Sequence, residues 1–106
     1  MTKITILYPA KPGSRFDLEY YRTTHIPLAI KLMGEALRSV TVDHYTSQGT
    51  PWPEPAIEVI ATFDCLSLGA YQQALAVHGA RLQADLPNYT DLTPIILVGE
   101  AVPLPT

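Results

Sequence analysis

The chain has 106 residues, 47 % hydrophobic and 16 % charged, with a formal net charge of −3 and one cysteine. That length fits a single domain, residues 1–106, with an adequate but not generous core. The mild acidity argues against nucleic acid or an anionic membrane as the main partner; no apolar run is long enough to span a bilayer, and Met1-Thr2-Lys3 opens no signal-peptide pattern.

Cys65 has no intrachain disulfide partner and suits a reducing cytoplasm, the expected location. The charged fraction is low against about a quarter in typical domains. A small domain with so little charge is expected to bury surface against a second copy of itself.

In chain order, Lys3 to Tyr8 is short and β-branched and predicts a strand. Pro9 and Lys11-Pro12-Gly13-Ser14 mark a loop. Asp17 suits the N-cap or first turn of a helix that carries Phe16, Tyr20 and Tyr21 and continues through Leu28, Leu32 and Met33 to a stop at Gly34. Pro27 disfavours helical geometry at Ile26, so a break or kink is expected close to His25. Leu37 to Thr46 holds a second strand around Val40–Tyr45. Gly49 to Pro55 is a turn-rich connection.

Ile57 to Phe63 predicts a third strand, with Ile57, Val59, Ala61 and Phe63 on one face. Leu68, Tyr71, Leu75 and Leu82 form a helical stripe ending before Pro87. Pro94 to Glu100 is the last strand, followed by a proline-punctuated tail. The order β-α-β-β-α-β is the ferredoxin-like α+β arrangement, in which two helices cover one face of a four-stranded antiparallel sheet. The strands are apolar on both faces, most clearly Ile57–Ile60 and Ile95–Val98. Two sheets packing face to face in a homodimer, as an α+β barrel with a cavity in each subunit, would cover the second face; a bound partner protein is the alternative.

The chemistry-bearing residues are few. Tyr21 and His25 are four apart and share a helix face. An imidazole titrates near neutrality and serves as general acid or base, so His25 leads the candidates. A phenol at Tyr20 or Tyr21 can polarise a carbonyl or hydrogen-bond an enolate. Adjacent residues point about 100° apart on a helix, so one of the two tyrosines is expected in the core. Asp85 and Asn88 could orient the imidazole or the substrate, or serve only as helix-end and turn residues. Trp52, among prolines, could close the mouth of a cavity or anchor its loop. His44 and His78 read as structural or surface residues, and Cys65 as a buried thiol. No paired-histidine motif, Cys-x-x-Cys or Gly-rich phosphate loop is present, so no metal and no cofactor is expected.

Phe16-Asp17-Leu18-Glu19-Tyr20-Tyr21-Arg22-Thr23-Thr24-His25-Ile26-Pro27-Leu28-Ala29 resembles the signature of the EthD-like domains. Phe63-Asp64-Cys65 and Ala84-Asp85-Leu86-Pro87-Asn88-Tyr89-Thr90 fit the same family in order, with Cys65 where serine is common and Tyr89 where phenylalanine is common. The resemblance covers essentially the whole chain and implies the dimeric α+β barrel. The family takes its name from a role in degrading an alkyl ether. It is related to small cofactor-free monooxygenases, muconolactone isomerases and polyketide-modifying enzymes. Together these readings predict a small cofactor-independent enzyme for proton transfer, dehydration, isomerisation or oxygenation of a hydrophobic cyclic or aromatic molecule. His25, Tyr20 and Tyr21 are its expected catalytic residues; Asp85, Asn88, Tyr89 and Trp52 are expected to bind substrate. The alternative is a non-catalytic dimeric barrel that binds a hydrophobic small molecule.

Overall fold

The computed structural model describes residues 1–46 and 56–105. Four strands, β1 (Thr2–Pro9), β2 (Leu37–His44), β3 (Ile57–Cys65) and β4 (Ile95–Gly99), form one sheet in the order β2-β3-β1-β4. Every neighbouring pair is antiparallel. Two helical segments lie between them, so the β-α-β-β-α-β order read from the sequence is the order observed. The turn-rich connection at Gly49–Pro55, with Trp52, falls outside the described residues.

Strand alternation decides what faces the helices. Ile4, Tyr8, Val59, Ala61, Phe63 and Cys65 are all buried on that side, in a cluster with Tyr21, Ile26, Ala29, Met33, Tyr89 and Leu92. The face predicted for Val59, Ala61 and Phe63 is therefore the core face. The opposite face carries Thr5 beside Thr62 and Leu97, and Leu7 beside Ile60 and Ile95. Among the described residues no helix or loop covers it, and β4 is exposed throughout: Ile95 is 48 % exposed, and Ile96, Leu97 and Val98 are each 53 % exposed.

The first helical segment, α1, departs from expectation in an informative way. It comprises α-helical Leu18–Tyr20, a π-helical turn at Tyr21–His25 and α-helical Ile26–Met33. Asp17 is its N-cap, accepting the Tyr20 backbone N–H at 3.0 Å. Gly34 ends it with φ +55°, a conformation that glycine adopts without steric penalty. The α-register is interrupted beside His25, where a break or kink is expected, yet the chain does not leave the helix: His25 (φ −69°, ψ −51°) and Ile26 (φ −63°, ψ −45°) both keep helical angles. The chain absorbs Pro27 by widening one turn: Ile26 N–H reaches back five residues to the Tyr21 carbonyl. Pro27 then falls in the first turn of the next α-segment, where its missing N–H costs nothing.

The second helix, α2 (Leu68–Asp85), starts on Ser67, whose hydroxyl accepts the Ala70 N–H at 3.0 Å. Its predicted stripe is only half packed. Tyr71 and Leu82 lean on the core together with Ala74, whereas Leu68 and Leu75 face outward. The apolar spacing was right for a helix, but the face that meets the core passes through Ala74 rather than Leu75. A short 3-10 turn, Leu86–Asn88, follows and leads into Tyr89.

Candidate active site around His25

The helix order brings His25, from the middle of α1, against Asp85, the last residue of α2. His25 Nδ1 lies 2.9 Å from Asp85 Oδ2. Asp85 Oδ1 accepts the Tyr20 hydroxyl at 2.7 Å and the Asn88 amide N–H at 2.9 Å. The carboxylate is thus held by three groups, Tyr20 and His25 from α1 and Asn88 from the turn that follows α2. Burial pulls its pKa upward, but the bonds from Tyr20, Asn88 and His25, with the imidazolium charge, hold it below the ordinary 3.8. An ionised carboxylate only accepts hydrogen bonds, so Nδ1 of the neutral ring carries the proton and the lone pair sits on Nε2.

Nε2 faces the Tyr89 hydroxyl across a long 3.5 Å contact, and that hydroxyl is 2.8 Å from the Tyr8 hydroxyl on β1. Rings surround the group. Tyr21 stacks on His25 with centroids 5.5 Å apart and planes 15° apart. Tyr89 lies 4.6 Å from His25 and 4.9 Å from Tyr21, and also touches Tyr8, Phe16 and Tyr20. Burial pushes the phenols of Tyr21 and Tyr89 far above their ordinary pKa and raises that of Tyr8. Tyr20 is raised too, chiefly because its hydroxyl donates to Asp85. All four are neutral donors or acceptors at any physiological pH.

The chain is pinned around this cluster. Residues 15–17 run beside residues 87–91: Asp17 N–H donates to the Tyr89 carbonyl at 2.7 Å, and the Thr90 hydroxyl donates to the Arg15 carbonyl at 2.7 Å. The Arg15 guanidinium bonds the Pro87 carbonyl.

Of the residues singled out from sequence, the structure brings His25, Tyr20, Tyr21, Asp85, Asn88 and Tyr89 into one cluster; Trp52 falls outside the described residues. Tyr21 is the tyrosine that enters the core, while Tyr20 is half-buried at the helix junction. Asp85 meets the imidazole, one of the two roles the sequence left open. Tyr89 is fully buried against the imidazole. Tyr8 was missed: alternation with Ile4 and Ile6 places it on the core face, but its hydroxyl partner is 81 residues away. Cys65 is buried, and burial pushes its thiol up, as expected of a structural cysteine.

His25 is 9 % exposed, and two cavities, of about 340 Å³ and about 150 Å³, lie elsewhere, around the loop after β1. The larger is lined by Lys11, His44, Tyr45 and Glu58 among others. Among the described residues no three His, Cys, Asp or Glu side chains are placed to hold a metal ion. None of the described helices is long and apolar enough to cross a membrane.

Residues 15–93 match the family described as the EthD domain. The fold is similar to that of an EthD-like protein from Ralstonia eutropha JMP134, at 31 % identity and a TM-score of 0.88, over 93 % of this chain and 89 % of that one. An EthD family protein from Bacillus halodurans C-125 is similar at 22 % identity and a TM-score of 0.66, over 96 % and 99 % of the two chains. An antibiotic biosynthesis monooxygenase shares the fold at 17 % identity and a TM-score of 0.53, over 97 % and 100 %. No curated protein matches the chain.

Proposed function

The chain belongs to the EthD domain family, and on that footing we propose that it is a small cofactor-independent enzyme acting on a hydrophobic cyclic or aromatic molecule, with His25 as its proton-transfer group. One observation carries the reading: a nine-tenths buried imidazole held at Nδ1 by a carboxylate that two other groups, the Tyr20 hydroxyl and the Asn88 amide, fix in place. A general base needs one nitrogen anchored and the other presenting its lone pair, here toward the Tyr89 hydroxyl across a long 3.5 Å contact.

In the step this supports, Nε2 takes a proton from an acidic C–H or O–H of the substrate, leaving an enolate or phenolate and an imidazolium paired with Asp85. Returning the proton to another carbon isomerises the substrate; delivering it to a departing hydroxide releases water. An electron-rich phenolate formed in the same way can instead react with dioxygen, one oxygen atom ending on the ring as a quinone carbonyl and the other leaving as water with the two displaced protons; a protein of similar fold is named as a monooxygenase. Tyr20, half-buried, and Asn88, exposed, lie at the rim of the cluster and are suited to contact the substrate.

We assign the protein to a homodimer in the reducing cytoplasm. The exposed β4 and the open sheet face support the pairing, and the radius of gyration of 14.8 Å exceeds the roughly 13 Å of a self-contained domain of this size. The lone buried thiol supports the compartment.

The test is turnover, or solvent deuterium uptake, for a panel of cyclic ketones, phenols and polyketide-like compounds with wild type and His25→Ala. Loss of activity by a factor on the order of 10² to 10⁴ is expected for removal of a general base. Equal turnover by both proteins would sink the assignment of His25. A second reading, a barrel that binds a hydrophobic molecule without turning it over, is favoured by the 9 % exposure of His25 and by the siting of both cavities away from it. Ligand binding with no turnover in either protein would establish it.

A further inference from the structure

We propose that Tyr89 and Tyr8 are positioning residues that aim the Nε2 lone pair of His25, within a hydrogen-bond chain whose direction is set by Asp85. The chain spans four residues on four parts of the fold: Asp85 at the end of α2, His25 in the π turn of α1, Tyr89 after the Leu86–Asn88 turn, and Tyr8 near the end of β1.

Each direction follows from the one before it. The ionised Asp85 accepts and cannot donate, so Nδ1 donates to it. Nε2 then has only its lone pair, so the Tyr89 hydroxyl donates to it. The Tyr89 oxygen is left as the acceptor facing Tyr8, and the Tyr8 hydroxyl donates. Both phenols are buried and held neutral, so they can respond to the imidazole only by turning their O–H bonds, not by ionising. When Nε2 gains a proton it becomes a donor, and the Tyr89 and Tyr8 hydroxyls rotate to the opposite sense. Both forms of the ring are therefore partnered without movement of heavy atoms, as a group that acts first as base and then as acid requires.

Asp85 is the one charged side chain in hydrogen-bond contact with His25 among the described residues. Tyr20 and Tyr21 from α1, Asn88 from the turn and Tyr8 from β1 complete the ionisable and polar groups around it. This deepens the reading of His25 as a proton-transfer group, and its test needs no substrate.

The test is ¹⁵N NMR of the histidine ring in the intact protein, at a pH where the ring is neutral. Wild type is expected to show a protonated Nδ1 and a hydrogen-bonded lone pair on Nε2. Tyr89→Phe should move the Nε2 resonance toward that of an unbonded lone pair while Nδ1 stays in place; Tyr8→Phe should move it the same way by less. Asp85→Asn, whose amide can donate to Nδ1, should shift the ring toward the Nε2–H tautomer. A wild-type ring protonated on Nε2 would overturn the proposal, and so would an Nε2 resonance unmoved by Tyr89→Phe. Amide spectra show which variants fold, and 3-fluorotyrosine at position 89, a stronger donor of almost the same shape, supplies a shift of opposite sign if Tyr89→Phe does not. Unchanged turnover in His25→Ala would remove the catalytic reading and leave these resonances as they are.

Discussion

Tyr21 and His25 lie with their rings 5.5 Å apart and 15° from parallel because both sit in the same π turn. In a regular α-helix, residues four apart are offset by about 40° around the axis, since each residue turns 100°. The wider turn removes much of that offset and brings one ring over the other. π turns occur often at functional sites, and here the turn is also what lets Pro27 follow His25 without a break.

Pro27→Ala restores an N–H that can bond the Thr23 carbonyl in the ordinary four-residue register, in competition with the π turn. It also frees the unfolded chain. We expect a loss of about 0.5–1 kcal/mol, read by chemical denaturation. His25 and Tyr21 ring resonances should shift at the same time; unmoved ring resonances would show that the π turn does not depend on proline.

Asp85→Ala removes the acceptor shared by His25, Tyr20 and Asn88. His25, buried, and Tyr20, half-buried, are left short of a partner, and an unmade bond of this kind costs about 1–3 kcal/mol; exposed Asn88 turns to water. We expect a loss in that range by urea denaturation, and a smaller one for Asp85→Asn, which keeps an oxygen for Tyr20. Equal losses would mean that volume rather than hydrogen bonding sets the effect.

Asp85 also gives the fold a defined acid limit. Its pKa is below 3.8 when folded, so its contribution to stability is complete above 3.8 and is lost as pH falls through the depressed folded value. Plotted against pH, the stability difference between wild type and Asp85→Asn should shrink as pH falls below about 4, where the Asp85 carboxylate itself takes up a proton. A difference that grew with acid would contradict the assigned direction.

On the open sheet face, Leu97 pairs across from Thr5 and is 53 % exposed. Leu97→Lys places a charge in the surface assigned to the second copy. We expect wild type to sediment as a dimer and the variant as a monomer with unchanged secondary structure. A wild-type monomer at high micromolar concentration would rule out the homodimer.

The architecture was readable because its signals are local. Asp17 before an aromatic-rich turn, Gly34 after the last periodic residue and the alternation of Val59, Ala61 and Phe63 each fix a boundary or a face without reference to the rest of the chain. Pro27 marks where the α-register is interrupted, but its local rule assumes that register and does not anticipate a π turn that keeps Ile26 helical. Leu68 and Leu75 were placed on the core stripe because spacing identifies an amphipathic face but not the angle at which a helix meets a sheet. The site was legible in part. His25 and the tyrosine pair lie in one segment, and Asp85, Asn88 and Tyr89 stood out through their motif. Their convergence across 60 residues or more is a product of topology. Tyr8 carried no local signal beyond facing inward.

The pairing of residues 15–17 with 87–91 makes the length of α2 part of the chemistry. Asp17 N–H and the Arg15 carbonyl hold the Tyr89 carbonyl and the Thr90 hydroxyl, while Ser67 fixes where the helix begins. Between those two anchors the count of residues determines which side chain reaches His25. One inserted residue would turn the end of the helix by about 100° and swing Asp85 away from Nδ1, with the tyrosine cluster still tied to the start of α1. The spacing from Ser67 to Tyr89 therefore acts as a gauge, and natural variation in length is expected in the loops rather than in this helix.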